Sequence, residues 1–338
     1  MRFPAAFIAR TPRPYLRLPI ELWLLLPFVL VFVVGVSAGL PVNRPDSTGL
    51  QFAEHHYFRP LLFALGAQVL VLLFRRRFGT HTFDVALIPT LAVLVLTATW
   101  LHFNFKAWMP LVHHRLFDEQ LSITDAVLGP VVPACIVLHR TLHNVLGSTI
   151  GYDIDHLYHD GFVAMFFVSF TIHAVLDTPL TLRRLVVASS LVLLIGGIFY
   201  WLMPAKGPFV FRISDNFLAR ASQARMSQLF DQLVATGRIP PGYFVAAPAA
   251  MPSLHTAHAW LFTWYAARYH RWLFWVYLPL FCFILVEAVA ASWHYVLDLP
   301  AGALLAVGCI WVSRRLVVEN QSPRTVAARG TELGADPG

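Results

Sequence analysis

Met251-Pro252-Ser253-Leu254-His255 runs straight into an apolar stretch at 256–269, and Trp293-His294-Tyr295-Val296-Leu297-Asp298 runs into another at 299–312. Each motif sets a histidine at the edge of a segment apolar enough to enter a bilayer. The second adds a carboxylate four residues after its histidine, on the same face of a helix. The fold therefore turns on reading these runs as membrane helices with chemistry at their ends. Two imidazoles and one carboxylate at a membrane boundary are the groups needed to pass a phosphoryl group through a histidine.

Composition supports the membrane reading. Of 338 residues, 57% are hydrophobic and 13% charged, with 27 Phe and 10 Trp, and the mean hydropathy is +0.63. A soluble domain carries about a quarter charged residues. The formal charge of +7 resides in short Arg clusters between apolar runs. That is topogenic placement, and no basic-aromatic nucleic-acid motif accompanies it. Cys135, Cys282 and Cys309 lack CxxC or zinc spacing and read as packing residues. The first apolar run has no small-residue cleavage site after it and reads as a retained span.

Outward from the two motifs, eight apolar runs are expected to cross the membrane: 20–40, 60–74, 84–103, 157–176, 185–203, 256–269, 273–290 and 299–312. The fold class is all-α, a polytopic bundle whose last six helices form the core. Residues 1–83 hold a basic arm and two accessory helices, 84–316 the catalytic membrane domain, and 317–338 a polar tail. Two outer loops are expected, at 104–157 and 204–252, and the stretch 122–146, broken by Pro130 and Pro133, reads as interfacial or re-entrant. With the N-terminus in the cytoplasm, 15 of the 25 Lys and Arg fall on cytoplasmic segments. The same count puts the loop 204–252, His255, His294 and Asp298 together on the outer face, although the motifs played no part in it.

At i and i+4, Asp298 is placed to accept the Nδ1 proton of His294 and leave Nε2 as a nucleophile; the bland reading of this pair is a satisfied polar contact at a helix end. His255 stands near a helix N-terminus, where backbone N–H groups favour an anion and an imidazole can protonate a leaving oxygen. The Ser253 hydroxyl is placed either to cap that helix or to steady phosphoryl oxygens. His258, three residues on, either touches substrate or lines the helix face. His113, His114, His139, His143 and His156 show no zinc-motif spacing and read as structural, so no metal or cofactor is expected.

The pair PSLH (252–255) and HYVLD (294–298) resembles the type 2 phosphatidic acid phosphatase superfamily. More closely, AMPSLHTAHA (250–259) and HYVLDLPAG (294–302) resemble its inositol phosphorylceramide synthase branch, as do Phe117-Asp118, Asp125 and Gly129 ahead of the core and Leu157-Tyr158-His159. The resemblance covers about residues 100–316. It implies a phosphohistidine on His294, orientation of that ring by Asp298, and acid–base duty for His255, with no metal. It makes Tyr158 and His159 candidate substrate contacts, where chemistry alone calls them interfacial anchors. The superfamily's Lys-x6-Arg-Pro motif is represented only by Lys206 and Arg212, one residue short and without the Pro, and Glu287-Ala288 replaces its Ser-Arg pair. Lys206 and Arg212 are thus either phosphate ligands or lipid-headgroup contacts.

Two classes of function follow. One is a membrane phosphotransferase that moves a polar, inositol-phosphate-like headgroup to a lipid hydroxyl, or a phosphatase that hydrolyses a lipid phosphate. Its partners would be membrane lipids, with no nucleic acid or obligate protein. The other is a non-enzymatic transporter, against which stand the lack of a mid-span charge and of an internal repeat. Arg outnumbers Lys by 23 to 2, and no retention motif closes the chain; both fit a bacterial inner membrane with a periplasm-facing site.

Overall fold

The structure, a computed structural model, describes residues 19–78, 87–150, 154–246, 248 and 251–318. The described residues are helical throughout, without strands. In chain order the helices are α1 (Ile20–Trp23), α2 (Leu26–Ser37), α3 (Ser47–Ala53), α4 (Arg59–Phe78), α5 (Leu87–Val112), α6 (Asp118–Val127) and α7 (Val131–Ile150). They continue with α8 (Ile154–Leu176), α9 (Pro179–Leu202), α10 (Phe217–Thr236), α11 (Tyr243–Ala246), α12 (Leu254–Tyr269), α13 (Arg271–Ala290) and α14 (Asp298–Leu316).

Helix α9 is the pillar. Thr178 caps it by accepting from the Thr181 N–H, and Pro179 starts it. After Arg183 and Arg184 near its start, its residues are almost all apolar or small, and most are buried, as a helix largely enclosed by others must be. A Cβ on Gly196 would lie 2.4 Å from a methyl of Leu254 on α12, and one on Gly197 would lie 3.2 Å from the His102 ring on α5. This glycine pair lets α12 and α5 close on α9 from two sides. The outward residues are large and apolar, among them Leu30, Val34, Phe63, Leu96, Leu304 and Val307, a surface suited to lipid.

The two ends of the bundle differ. At one end Arg183 meets the buried Glu21 at 2.6 Å, the Arg184 Nε–H donates to the carbonyl of Val317, and His270 lies 3.1 Å from Asp177. At the other, the starts of α8, α12 and α14 converge. Both histidine motifs sit there.

Five described segments are long and apolar enough to cross a membrane: Ile20–Ser37, Ile154–Leu176, Pro179–Leu202, Arg271–Ala290 and Asp298–Leu316. Helices α6 and α7, bent by 83°, make a sixth if counted as one broken span. The protein is an integral membrane protein. Helix α12 has 16 residues and at 1.5 Å per residue falls short of a ~30 Å hydrocarbon core; it is enclosed by its neighbours.

Three boundaries expected from sequence are corrected. The run 84–103, whose first three residues lie outside the described residues, continues as α5 to Val112. Its polar end is satisfied by partners: Asn104 accepts from the Asn43 N–H at 2.7 Å, and the Trp108 indole donates to the Pro41 carbonyl at 2.7 Å. The stretch 122–146, expected as interfacial or re-entrant, lies within the longer bent α6–α7 pair, whose shape is that of a broken span or a re-entrant loop; its corner is made by Gly129 at φ +53° with Pro130 after it. The loop 204–252 contains the 20-residue α10, capped by Asn216 and closed by Gly237 in the left-handed region.

Candidate active site

Asp298 opens α14 and is wholly buried. Its Oδ2 accepts from His294 Nδ1 at 3.2 Å and from the Tyr295 N–H at 2.9 Å. A carboxylate oxygen only accepts, so Nδ1 carries the proton and Nε2 holds the lone pair. The backbone carbonyl of Asp298 also accepts from the Ser253 N–H at 3.0 Å. That bond ties the second motif to the first. Gly302 makes it possible, because a Cβ there would lie 2.3 Å from the Ser253 carbonyl oxygen. As a result the rings of His255 and His294 stand 6.4 Å apart, centre to centre.

His255 and His294 share the wall of a cavity of about 650 Å³ with Tyr158, His159, His258 and Lys206. The His255 ring lies 4.9 Å from Tyr158 and 4.4 Å from Phe162. The Tyr158 hydroxyl is buried and, among the described residues, makes no hydrogen bond. His159 Nε2 meets His56 Nε2 at 2.8 Å, while His56 Nδ1 donates to the Phe52 carbonyl at 2.8 Å. His56 thus accepts through Nε2, and His159 is the donor. Burial, and then the neighbouring His159, push the His56 imidazole down to about 4, so it stays neutral.

The other expected contacts fall elsewhere. Ser253 is fully buried and its Oγ accepts from the Thr256 N–H at 3.3 Å, which makes it the cap of α12; it is not part of the cavity wall. His258 faces the wall, but its ring nitrogens approach the carbonyls of Leu254 at 3.0 Å and Ser189 at 3.3 Å. Lys206 lines the wall with its Nζ 2.6 Å from Asp231 and over the Phe230 ring. Arg212 lies off the wall. Its Nε–H donates to the Ser292 hydroxyl at 3.0 Å and its Nη2 to the Val289 carbonyl at 2.6 Å. It closes the end of α13 where Ser292 takes φ +58° and so fixes the turn that presents His294. Burial draws its guanidinium down from the ordinary value.

Sequence reasoning named Asp118 and Asp125 only within the resemblance and assigned them no role, and it missed the supports from Tyr295, Gly207 and Glu287. Asp118 Oδ1 accepts from the Tyr295 hydroxyl at 2.9 Å and the Gly207 N–H at 2.8 Å, and its Oδ2 accepts from the Lys206 N–H at 3.0 Å. Asp125 accepts from the Val296 N–H at 2.8 Å. Burial and the adjacent Asp118 raise the Tyr295 phenol well above its usual value, which keeps the donating proton in place. Gly207, at φ +122°, lies where a Cβ would sit 3.0 Å from the Trp293 carbonyl oxygen. Glu287 is wholly buried between His139 Nδ1 at 2.7 Å and Asn216 Nδ2 at 3.0 Å. His102 and Lys106, one turn apart on α5, complete the cavity wall.

Among the described residues, two groups have the donor set for a divalent cation: His139, Asp155 and Glu287, and, at the arginine end, His173, Asp177 and His270. In both, a histidine Nδ1 already hydrogen-bonds a carboxylate, which accounts for the clustering.

The arrangement pairs an oriented imidazole with a second imidazole across a cavity at three helix N-termini. Residues 148–312 match the family model of the PAP2 superfamily. Neither a search of curated proteins nor one of solved structures returns a significant match.

Proposed function

We propose a reaction for an enzyme whose residues 148–312 form a PAP2 superfamily domain, that is, a phosphatase or phosphotransferase: transfer of a polar phospho-headgroup between lipids through a phosphohistidine on His294. The observation that carries this reading is the Ser253–Asp298 backbone bond, which brings an Asp-oriented His294 opposite His255. In the first step His294 Nε2 attacks phosphorus while the bond to the leaving lipid oxygen breaks and His255 supplies its proton. In the second, His255 takes the proton of an acceptor hydroxyl, whose oxygen attacks phosphorus as the P–N bond breaks. The convergent N-termini of α8, α12 and α14 favour the anion that passes between them.

The acceptor decides between transfer and hydrolysis. Transfer is favoured by the aromatic part of the cavity wall, Phe52, Phe103, Phe162 and Trp293, since apolar walls that shed water help an alcohol compete. An inositol-phosphate-like group is the headgroup we assign, on the resemblance of 250–259 and 294–302 to the synthase branch. We place the site on the outer face of a bacterial inner membrane, with Arg183, Arg184, Arg268 and Arg271 at the cytoplasmic end. The test is incubation of purified protein with defined phospholipid donors and lipid acceptors, with products read by mass. Wild type should yield the exchanged lipid and an acid-labile phosphoenzyme, and His294→Ala neither. Full activity in that variant would sink the reading.

A further inference from the structure

We propose that Lys106, on α5, holds the phosphate of the substrate, supplying the charge that the displaced Lys206–Arg212 motif does not bring to the cavity. This rests on the phosphoryl-transfer reading above. Three basic side chains other than histidine line the cavity: Lys106, Lys206 and Arg225. Lys206 is neutralised by Asp231 at 2.6 Å. Arg225 is exposed on α10. Lys106 is half-buried on the cavity wall, and among the described residues no carboxylate lies within ion-pair distance of it.

A half-buried cation without a counter-ion at a membrane-protein cavity is costly and marks a place where a ligand supplies the missing charge. The fold spends specific features on putting it there. His102 and Lys106 fall on one face of α5 at i and i+4, and Gly197 on α9 admits the His102 ring at 3.2 Å from where a Cβ would lie. The neighbouring Gly196 admits Leu254, the residue before His255. Through these two glycines α5 and α12 face one cavity, and Lys106 and His255 share its wall. The opposite face of α5 is held by Asn104 and Trp108 on residues 41–43, which fixes the rotation of the helix about its axis. An ammonium so placed attracts a phosphoryl oxygen next to the imidazole that must deliver a proton.

The test uses the full chain purified in detergent with orthovanadate, a mimic of phosphate in transfer, as the probe. Lys106→Gln should bind vanadate about tenfold or more weakly, the usual loss for one charge-assisted hydrogen bond, and Lys106→Arg should recover most of that affinity. Without anion, the melting temperature of Lys106→Gln should stay level or rise, since an uncompensated charge has been removed. A merely structural lysine would lower it. Lys106→Met, apolar and of similar reach, serves if the glutamine variant does not fold. Vanadate affinity equal to wild type in Lys106→Gln or Lys106→Met, while His294→Ala still abolishes turnover, removes Lys106 from the site and leaves the phosphohistidine reading standing. A wild-type protein that does not hold vanadate overturns both.

Discussion

At the scale of single residues, Asp298 does more than its sequence spacing announced. The i,i+4 relation to His294 was legible in HYVLD, but its carbonyl bond to Ser253 and its acceptance of the Tyr295 N–H were not. One residue thus sets the tautomer of the nucleophile, shapes its turn and joins the two motifs. Replacing the carboxylate by an amide leaves the backbone bond to Ser253 intact and alters what His294 Nδ1 and the Tyr295 N–H see. Asp298→Asn should therefore lower kcat by roughly two to four orders of magnitude, as in other orienting Asp–His pairs, with KM changed only a few-fold. Steady-state kinetics on the exchanged lipid would check this, and a main effect on KM would make Asp298 a binding group instead. Asp118 and Asp125 were visible as acidic residues in a polar stretch, but their work is done through backbone N–H groups, which have no side-chain signature. Ser253 and Arg212 show the reverse case, residue types suited to phosphate that the fold uses to finish helix ends.

At the scale of elements, apolar runs located the long helices because length and hydropathy follow directly from bilayer thickness. They missed α10 and the end of α5, where polar residues are satisfied by distant partners: Asn216 by Glu287, Asn104 by Asn43. Such pairings cross tens of residues and leave no local pattern. Close helix approach was equally silent, yet the glycines that permit it are unequal. At Gly302 a Cβ meets a backbone carbonyl oxygen at 2.3 Å, while at Gly196 it meets a side-chain methyl at 2.4 Å. A methyl can swing aside; the carbonyl belongs to the turn that carries Ser253 and His255. Gly302→Ala should thus cost about 1–3 kcal/mol of stability, the range for overpacking, and a larger share of turnover, and Gly196→Ala distinctly less of each. Thermal melting in detergent beside activity measures both, and equal losses would mean that the contact between the motifs is not the sensitive one.

At the scale of the whole molecule, the charge pattern makes a prediction independent of the chemistry. Six of the described arginines, Arg183, Arg184, Arg268, Arg271, Arg314 and Arg315, lie at one end of the bundle, and His255, His294 and Asp298 at the other, where Arg212 and Arg225 also lie. Trp272, Trp275 and Trp311 are exposed near the arginine end, where indoles favour the membrane boundary. If positive charge sets orientation, the arginine end faces the cytoplasm and the cavity opens outward. Ile213 is 80% exposed at the cavity end, and Arg271 is exposed at the other. In a background with Cys135, Cys282 and Cys309 replaced, Ile213→Cys should react with a membrane-impermeant maleimide in intact cells. Arg271→Cys should react only after the membrane is opened. The inverse pattern would place the phosphoryl chemistry on the cytoplasmic leaflet and leave every distance in the site unchanged. Sidedness is thus read from the labelling pattern, and the lipids within reach of His294 follow from it.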